Sequence, residues 1–203
     1  MRFGVRYLLI VLTCLIWASL PRALYACGVC TELPDASLAD HILSAEVIVL
    51  AGPAPDNPFR FQAERVLKGS WEKYESIPEI PFLIDSVTRR AFRSDPSKTV
   101  LLTYGPTYRD SAGRSFFRSW RRVFVMNPDR VEFLADLRSS GQLWTYGETD
   151  TPDRVAFFAD YLWHTDHVLH NTALVEIGRA PYELVRPIGD RYPTSLILQE
   201  FSA

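Results

Sequence analysis

Two cysteines that could do redox chemistry stand three positions apart in the segment ALYACGVC, at Cys27 and Cys30. A CxxC dithiol exchanges with other thiols when one of its thiols has a lowered pKa. Thioredoxin-like pairs follow a strand within a βαβ unit, whereas this pair precedes every predicted strand. We therefore expect a small local disulfide in an oxidising compartment, with a thiol oxidoreductase acting through CGVC as the alternative.

The residues before this pair have the composition of a secretory signal. Arg2 and Arg6 precede the uncharged run YLLIVLTCLIWASL, and Ala26 offers a small residue for cleavage. The run is shorter than the roughly 20 apolar residues of a spanning helix. We expect residues 1–26 to be removed and the protein to be exported, periplasmic or extracellular. Because LYAC resembles a lipobox, a lipid on Cys27 that anchors the protein to the membrane is the alternative.

Three histidines and one carboxylate in HTDHVLH could support metal chemistry. Imidazole and carboxylate groups are both zinc ligands, so a metal-dependent enzyme is one hypothesis. On a continuous helix, however, side chains three residues apart diverge by about 60° at each step. We expect a capped turn between two helices, with no metal and no cofactor. The alternative metal site would comprise His164, Asp166, His167 and His170.

Basic residues between positions 89 and 122 form the third group. On an OB-fold face, arginines and aromatic rings together hold single-stranded nucleic acid or oligosaccharide. Export argues against nucleic acid, so we expect an unknown protein or an anionic envelope polymer at Arg118, Trp120, Arg121 and Arg122. Alternatively, the arginine stems cover apolar surface while their charged ends stay in water. The group comprises Arg89, Arg90, Arg93, Lys98, Arg109, Arg114, Arg118, Arg121 and Arg122, with Phe116, Phe117 and Trp120 between them.

The size and charge of the chain suit a folded binding protein. Loss of residues 1–26 would leave 177 of the 203 residues, with 19 Lys+Arg against 24 Asp+Glu. That length can bury a hydrophobic core without a dense set of disulfides. The sequence contains no GxSxG, HExxH or glycine-rich phosphate loop. We therefore expect binding rather than catalysis.

Hydrophobic periodicity predicts an α+β fold. A short helix capped by Asp35 or Ser37 precedes a buried strand, and a half-buried strand with a bulge at Val66 and Leu67 follows. A later helix, with Asn127 as its cap, is predicted to carry an apolar stripe of Val131, Leu134 and Leu137. The five predicted strands cover residues 45–52, 59–69, 77–85, 99–105 and 115–126.

The C-terminal residues have a different pattern, with helix starts in close succession. Pro152, Asp166, Pro181 and Pro193 can each begin or cap a short helix. Short antiparallel helices joined by tight turns are typical of α-solenoid fragments. We therefore divide the chain after the signal into a barrel at 27–145 and a helical appendage at 146–203.

The order of these elements resembles the netrin-like OB-fold barrels, the group that includes the tissue inhibitors of metalloproteinases. The resemblance rests on the CGVC pair, the short helix, AEVIVLAG, RVLKG, TVLLTYG and NPDRVEFLADL, and covers about residues 27–141. It implies a five-stranded OB-like barrel with flanking helices. The segments FFADYL, HTD and RAPYEL are similar to HEAT-like helices. Those inhibitors tether their first cysteine to a distant one, whereas this chain has no cysteine after Cys30.

Overall fold

The computed structural model describes residues 33–108 and 116–189, which fold as an α+β protein. Within these residues, four strands form one open antiparallel sheet in the order β2-β1-β3-β4, accompanied by seven α-helices. The strands are β1 (Val47–Pro53), β2 (Phe61–Lys68), β3 (Val100–Tyr108) and β4 (Phe116–Val125). The helices are α1 (Leu38–Leu43), α2 (Trp71–Ser76), α3 (Ser86–Ser94), α4 (Pro128–Ser140), α5 (Pro152–Ala159), α6 (His167–Arg179) and α7 (Tyr182–Gly189), and a 3₁₀ turn spans Gly141–Leu143.

The predicted closed five-stranded barrel is wrong. Residues 77–85, expected to be its edge strand, contribute one isolated bridge between Arg60 and Leu83. Pro78 and Pro81 lack the N–H groups that a ladder needs, so this segment cannot continue the pairing. The sheet therefore remains open, with β2 and β4 as its edges.

The central strand β1 separates two hydrophobic clusters. Ile48 and Leu50 belong to the first cluster, whereas Val47 and Val49 belong to the second. Burial on both faces explains the nearly continuous apolar run of this strand. The predicted bulge in β2 is confirmed, because Ile48 pairs with Lys68 and Val49 with Val66, which leaves Leu67 as the extra residue.

Local capping signals position three of the helices as predicted. The Ser37 hydroxyl accepts the Asp40 N–H at 3.1 Å at the start of α1, and Asn127 accepts the Arg130 N–H at 2.8 Å at the start of α4. Asp166 accepts the Val168 N–H at 2.9 Å at the start of α6. These short-range bonds satisfy first-turn N–H groups that have no partner inside the helix.

The apolar stripe of α4 differs from the prediction. Val131 is 53% exposed, whereas Phe133, Leu134 and Leu137 are buried. Successive helical residues turn by about 100°, so Val131 and Phe133 lie on different sides of the helix. Phe133 thus takes the place in the core that the sequence pattern assigned to Val131.

The C-terminal helices contribute to the same core as the sheet. Phe158 of α5 and Leu169 and Ala173 of α6 lie in the first cluster, together with Ile48 and Leu101. The division of the chain near residue 145 stays a prediction. Across the described residues, no helix is both long and apolar enough to cross a membrane.

Candidate functional site

The four residues predicted as a partner-binding face lie on both sides of β4. Trp120 is buried in the second cluster, with its ring centroid 5.4 Å from that of Tyr104. Its Nε1–H donates to the Pro78 carbonyl oxygen at 2.6 Å. Trp120 therefore holds the proline-containing segment against the sheet.

Arg118 and Arg122 share the side of β4 that carries Trp120, and each forms an ion pair. Arg118 donates to the Glu46 carboxylate, and Arg122 donates to the Asp85 carboxylate. The Thr88 N–H and the Arg122 guanidinium hold the pKa of Asp85 well below its usual range. Both arginines thus have carboxylate partners within the chain.

Arg121 lies on the opposite side of β4, close to α1. Its Nη2 donates to the Thr107 hydroxyl at 3.2 Å. Burial and then the nearby Arg121 guanidinium lower the pKa of His41 to about 4. The structure therefore brings Arg118, Trp120 and Arg122 together on one side and separates Arg121 from them.

The HTDHVLH segment forms a turn and the first part of α6. The Asp166 carboxylate accepts Arg130 Nε–H at 2.9 Å. Burial raises the pKa of Asp166, but bonds from Arg130 and Asn127 outweigh it and leave the pKa at about 2. His164 Nδ1 accepts the Asp166 N–H at 3.0 Å, and His170 Nδ1 hydrogen bonds with the Leu162 carbonyl at 2.5 Å. In the ranges 33–108 and 116–189, no three His, Cys, Asp or Glu residues are grouped to hold a metal.

Other arginines of the basic group lie on α3, beside exposed apolar side chains. Phe59 is 47% exposed, Leu83 69% and Val87 76%. The Arg89 guanidinium carbon lies 4.8 Å from the centroid of the Phe59 ring, a cation–π contact. Cys27, Cys30, Arg109 and Arg114 lie outside the described residues. We call the following six residues the α3 surface: Phe59, Leu83, Val87, Arg89, Arg90 and Arg93.

The sequence of α3 explains why its arginines face outward. Thr88 and Phe92 are buried and lie four residues apart, so they form the inner side of the helix. Arg90 and Arg93 are exposed, and neither forms an ion pair with any described residue. The sequence signals for this helix are the Asp85 cap and the spacing of Thr88 and Phe92, but the sequence analysis predicted no helix between the strands at 77–85 and 99–105.

A buried ionic network, which the sequence did not reveal, joins α1, α5 and α6. Arg154 is 1% exposed and its Nη2 donates to Asp40 Oδ1 and to Glu176 Oε1, both at 2.8 Å. Arg179 Nη1 donates to Asp40 Oδ2 at 2.9 Å. Ser37 donates its hydroxyl hydrogen to Glu176. Two cations and two carboxylates are thereby paired inside the protein.

The charged groups of this network are occupied by ion pairs and hydrogen bonds within the protein. Asp40 also accepts N–H groups from Ser37 at 2.8 Å and from Gly147 at 3.1 Å. Burial raises the pKa of Asp40, but the Ser37 N–H and Arg154 outweigh it, so the net pKa is lowered. A carboxylate held ionised by this many donors is a poor proton carrier near neutral pH. The network therefore positions helices, and the α3 surface remains as the candidate binding site.

Comparisons with known proteins give no relative for this chain. No family model, curated protein or solved structure matches it. The resemblance to netrin-like and HEAT-like proteins accordingly stays a prediction.

Proposed function

We propose that this chain is an exported, non-catalytic binding module whose α3 surface docks on an acidic partner protein. The observation that carries the proposal is that Arg90 and Arg93 are exposed and unpaired within the described residues, on a helix that carries the exposed Val87 and begins three residues after the exposed Leu83. Arginine and large apolar side chains are the combination typical of protein interfaces. Opposite charge on the partner would speed association, and apolar contact would slow dissociation.

The apolar members of the α3 surface favour a protein over an anionic envelope polymer. A uniform polyanion is held by charge alone, so it gains little from Leu83 or Val87. A protein that carries both acidic and apolar side chains would cover these residues and bring carboxylates near Arg90 and Arg93. The two kinds of partner therefore differ in their dependence on the apolar side chains.

Charge reversal on α3 tests this proposal. We expect the Arg90→Glu/Arg93→Glu variant to bind a random glutamate–tyrosine copolymer roughly tenfold more weakly than the unmodified protein, because two attractions become repulsions. The Leu83→Ser/Val87→Ser variant is expected to lose affinity for this copolymer but to keep its affinity for polyglutamate. Fluorescence anisotropy with labelled polymers measures both effects.

The matched control is Arg138→Glu/Arg186→Glu, which reverses two exposed cations on α4 and α7. Equal weakening by the control would show a nonspecific charge effect and would contradict the proposal. Tighter binding to polyphosphate or polyglutamate than to the copolymer, with no effect of the Leu83 and Val87 substitutions, would indicate an envelope polymer instead. Absence of copolymer binding would also overturn the proposal.

The proposed export predicts a defined mass for the protein recovered from its host. We expect loss of residues 1–26 and a mass reduced by the hydrogens lost when Cys27 and Cys30 form a disulfide. Intact-mass spectrometry before and after reduction measures both changes. A mass increased by acyl chains would identify the lipid-anchored alternative, and an uncleaved chain would contradict export.

A further inference from the structure

An aromatic groove lies where α5 meets the end of α4 and the 3₁₀ turn, away from the residues of the α3 surface. It has a volume of about 420 Å³ and is open to solvent. The rings of Trp144 and Phe157 meet edge to face, with centroids 5.5 Å apart. The groove is lined by Ser140, Trp144, Asp153, Ala156, Phe157 and Asp160.

The aromatic surface continues just past the end of α5, beside more carboxylates. The Tyr161 ring centroid is 5.3 Å from that of Phe157, and its hydroxyl donates to Asp136 at 3.4 Å. Burial, followed by the charges of Asp136, Glu132 and Asp160, raises the pKa of Tyr161 to about 12. Acidic groups from α4 and from α5 thus surround one strip of half-buried rings.

Two of the cations near this groove in the sequence are paired elsewhere. Arg130 of α4 bonds to Asp166, and Arg154 of α5 bonds to Asp40 and Glu176. Asp153 and Asp160 are exposed and form no ion pair with the part of the chain that the structure describes. The Arg154 guanidinium carbon also lies 5.7 Å from the centroid of the Trp144 ring, a cation–π contact within the chain. The groove therefore combines the exposed carboxylates of Asp153 and Asp160 with the ring of Phe157.

We propose that this groove binds an arginine side chain of a basic partner polypeptide. A planar guanidinium can stack on Phe157 while it donates to the carboxylates of Asp153 or Asp160. Attraction by an aromatic ring and by a carboxylate acts on the same cation, so the two contacts reinforce each other. The open shape suits a side chain carried on a polypeptide rather than an enclosed small molecule. The groove would bind cationic groups, whereas the α3 surface would bind anionic groups. The proposal for the groove does not depend on the proposal for the α3 surface.

Fluorine NMR of the mature protein labelled with 5-fluorotryptophan tests the proposal. The probe is a blocked peptide with several arginines, compared with the same peptide in which neutral citrulline replaces arginine. We expect the arginine peptide to shift the Trp144 signal in a saturable way and the citrulline peptide to leave it unchanged. The Trp144→Phe variant assigns the signal, and substitution of the other tryptophans in turn assigns it by elimination if that variant does not fold.

Substitutions on the groove give the quantitative test. We expect Asp153→Asn/Asp160→Asn to weaken binding of the arginine peptide roughly fivefold. High salt should weaken peptide binding by the unmodified protein more than binding by this variant, because salt screens the attraction of the two carboxylates. Phe157→Leu keeps an apolar side chain and is expected to weaken binding roughly threefold through loss of the ring. The control Glu183→Gln removes an exposed carboxylate from α7 and should leave binding unchanged.

Three results would overturn this proposal. Equal binding of the citrulline peptide would exclude recognition of the cation. Equally tight binding of tetramethylammonium would identify a site for small organic cations. Self-association in sedimentation that disappears in Asp153→Asn/Asp160→Asn would identify a second copy of this chain as the occupant. None of these measurements uses the α3 surface. The proposal for the groove can therefore fail while the proposal for the α3 surface holds, and the reverse.

Discussion

Replacement of Arg154 by methionine is expected to lower the free energy of unfolding by about 3–5 kcal/mol. Arg154 is 1% exposed and donates to Asp40 and Glu176, which are also buried, at 1% and 4% exposed. The substitution leaves two buried carboxylates with Arg179 as the remaining cation of the network. The cost arises from charge that is buried without compensation, because methionine fills much of the arginine volume.

Urea unfolding followed by far-UV circular dichroism measures this effect. The control is Arg186→Met, which makes the same change at an exposed position of α7 and should alter stability by less than about 0.5 kcal/mol. A loss below about 1 kcal/mol for Arg154→Met would show that the carboxylates regain partners or water in the variant. That result would contradict the claim that the ionic network stabilises the packing of α1 against α5 and α6.

The pH dependence of the same variant has a defined sign. The pKa of Asp40 is lowered in the folded protein, so its stabilising contribution is present above the unfolded pKa and is lost as pH falls through the folded value. Without Arg154, the Asp40 carboxylate should take up a proton more readily. We therefore expect the difference in stability between the two proteins to narrow below about pH 4, near the ordinary pKa of an aspartate.

Features encoded within a few residues were predictable from the sequence. Asn127 and Asp166 were predicted as helix caps, and Ser37 was one of two candidates beside Asp35, because a cap bonds to an N–H two or three positions away. The ionic network was missed for the opposite reason. Asp40 and Arg154 are 114 positions apart, and nothing near either residue reveals the partner.

The prediction of the barrel was wrong because it did not anticipate tertiary contacts, whereas the binding face at Arg118, Trp120, Arg121 and Arg122 stays a prediction. A segment with two prolines was interpreted as an edge strand, but its place is fixed by the Trp120 bond to the Pro78 carbonyl. The grouping of arginines by sequence position also combined residues of different roles. Arg118 and Arg122 meet carboxylates from distant segments, whereas Arg90 remains exposed on a helix whose Asp85 cap was overlooked.

Replacement of Phe133 by alanine is expected to lower the free energy of unfolding by about 3–5 kcal/mol, comparable with the loss of Arg154. Phe133 is fully buried, and its ring centroid lies 5.0 Å from that of Tyr161 and 6.1 Å from that of Phe157. Truncation removes apolar burial and leaves a cavity between α4 and α5. The Phe157 and Tyr161 rings lose their packing contact with the Phe133 ring. Binding of the arginine peptide should therefore weaken even under conditions where the variant is folded.

Val131→Ala provides the matched control, since it shortens an apolar side chain on the same helix at a position that is 53% exposed. We expect it to change stability by less than about 0.5 kcal/mol and to leave peptide binding unaltered. Urea unfolding and the Trp144 fluorine signal measure the two effects on the same samples. Equal destabilisation by the two substitutions would restore Val131 to the apolar stripe and contradict the packing described for α4. If Phe133→Ala is destabilised but binds the peptide normally, the groove does not depend on the core beneath it.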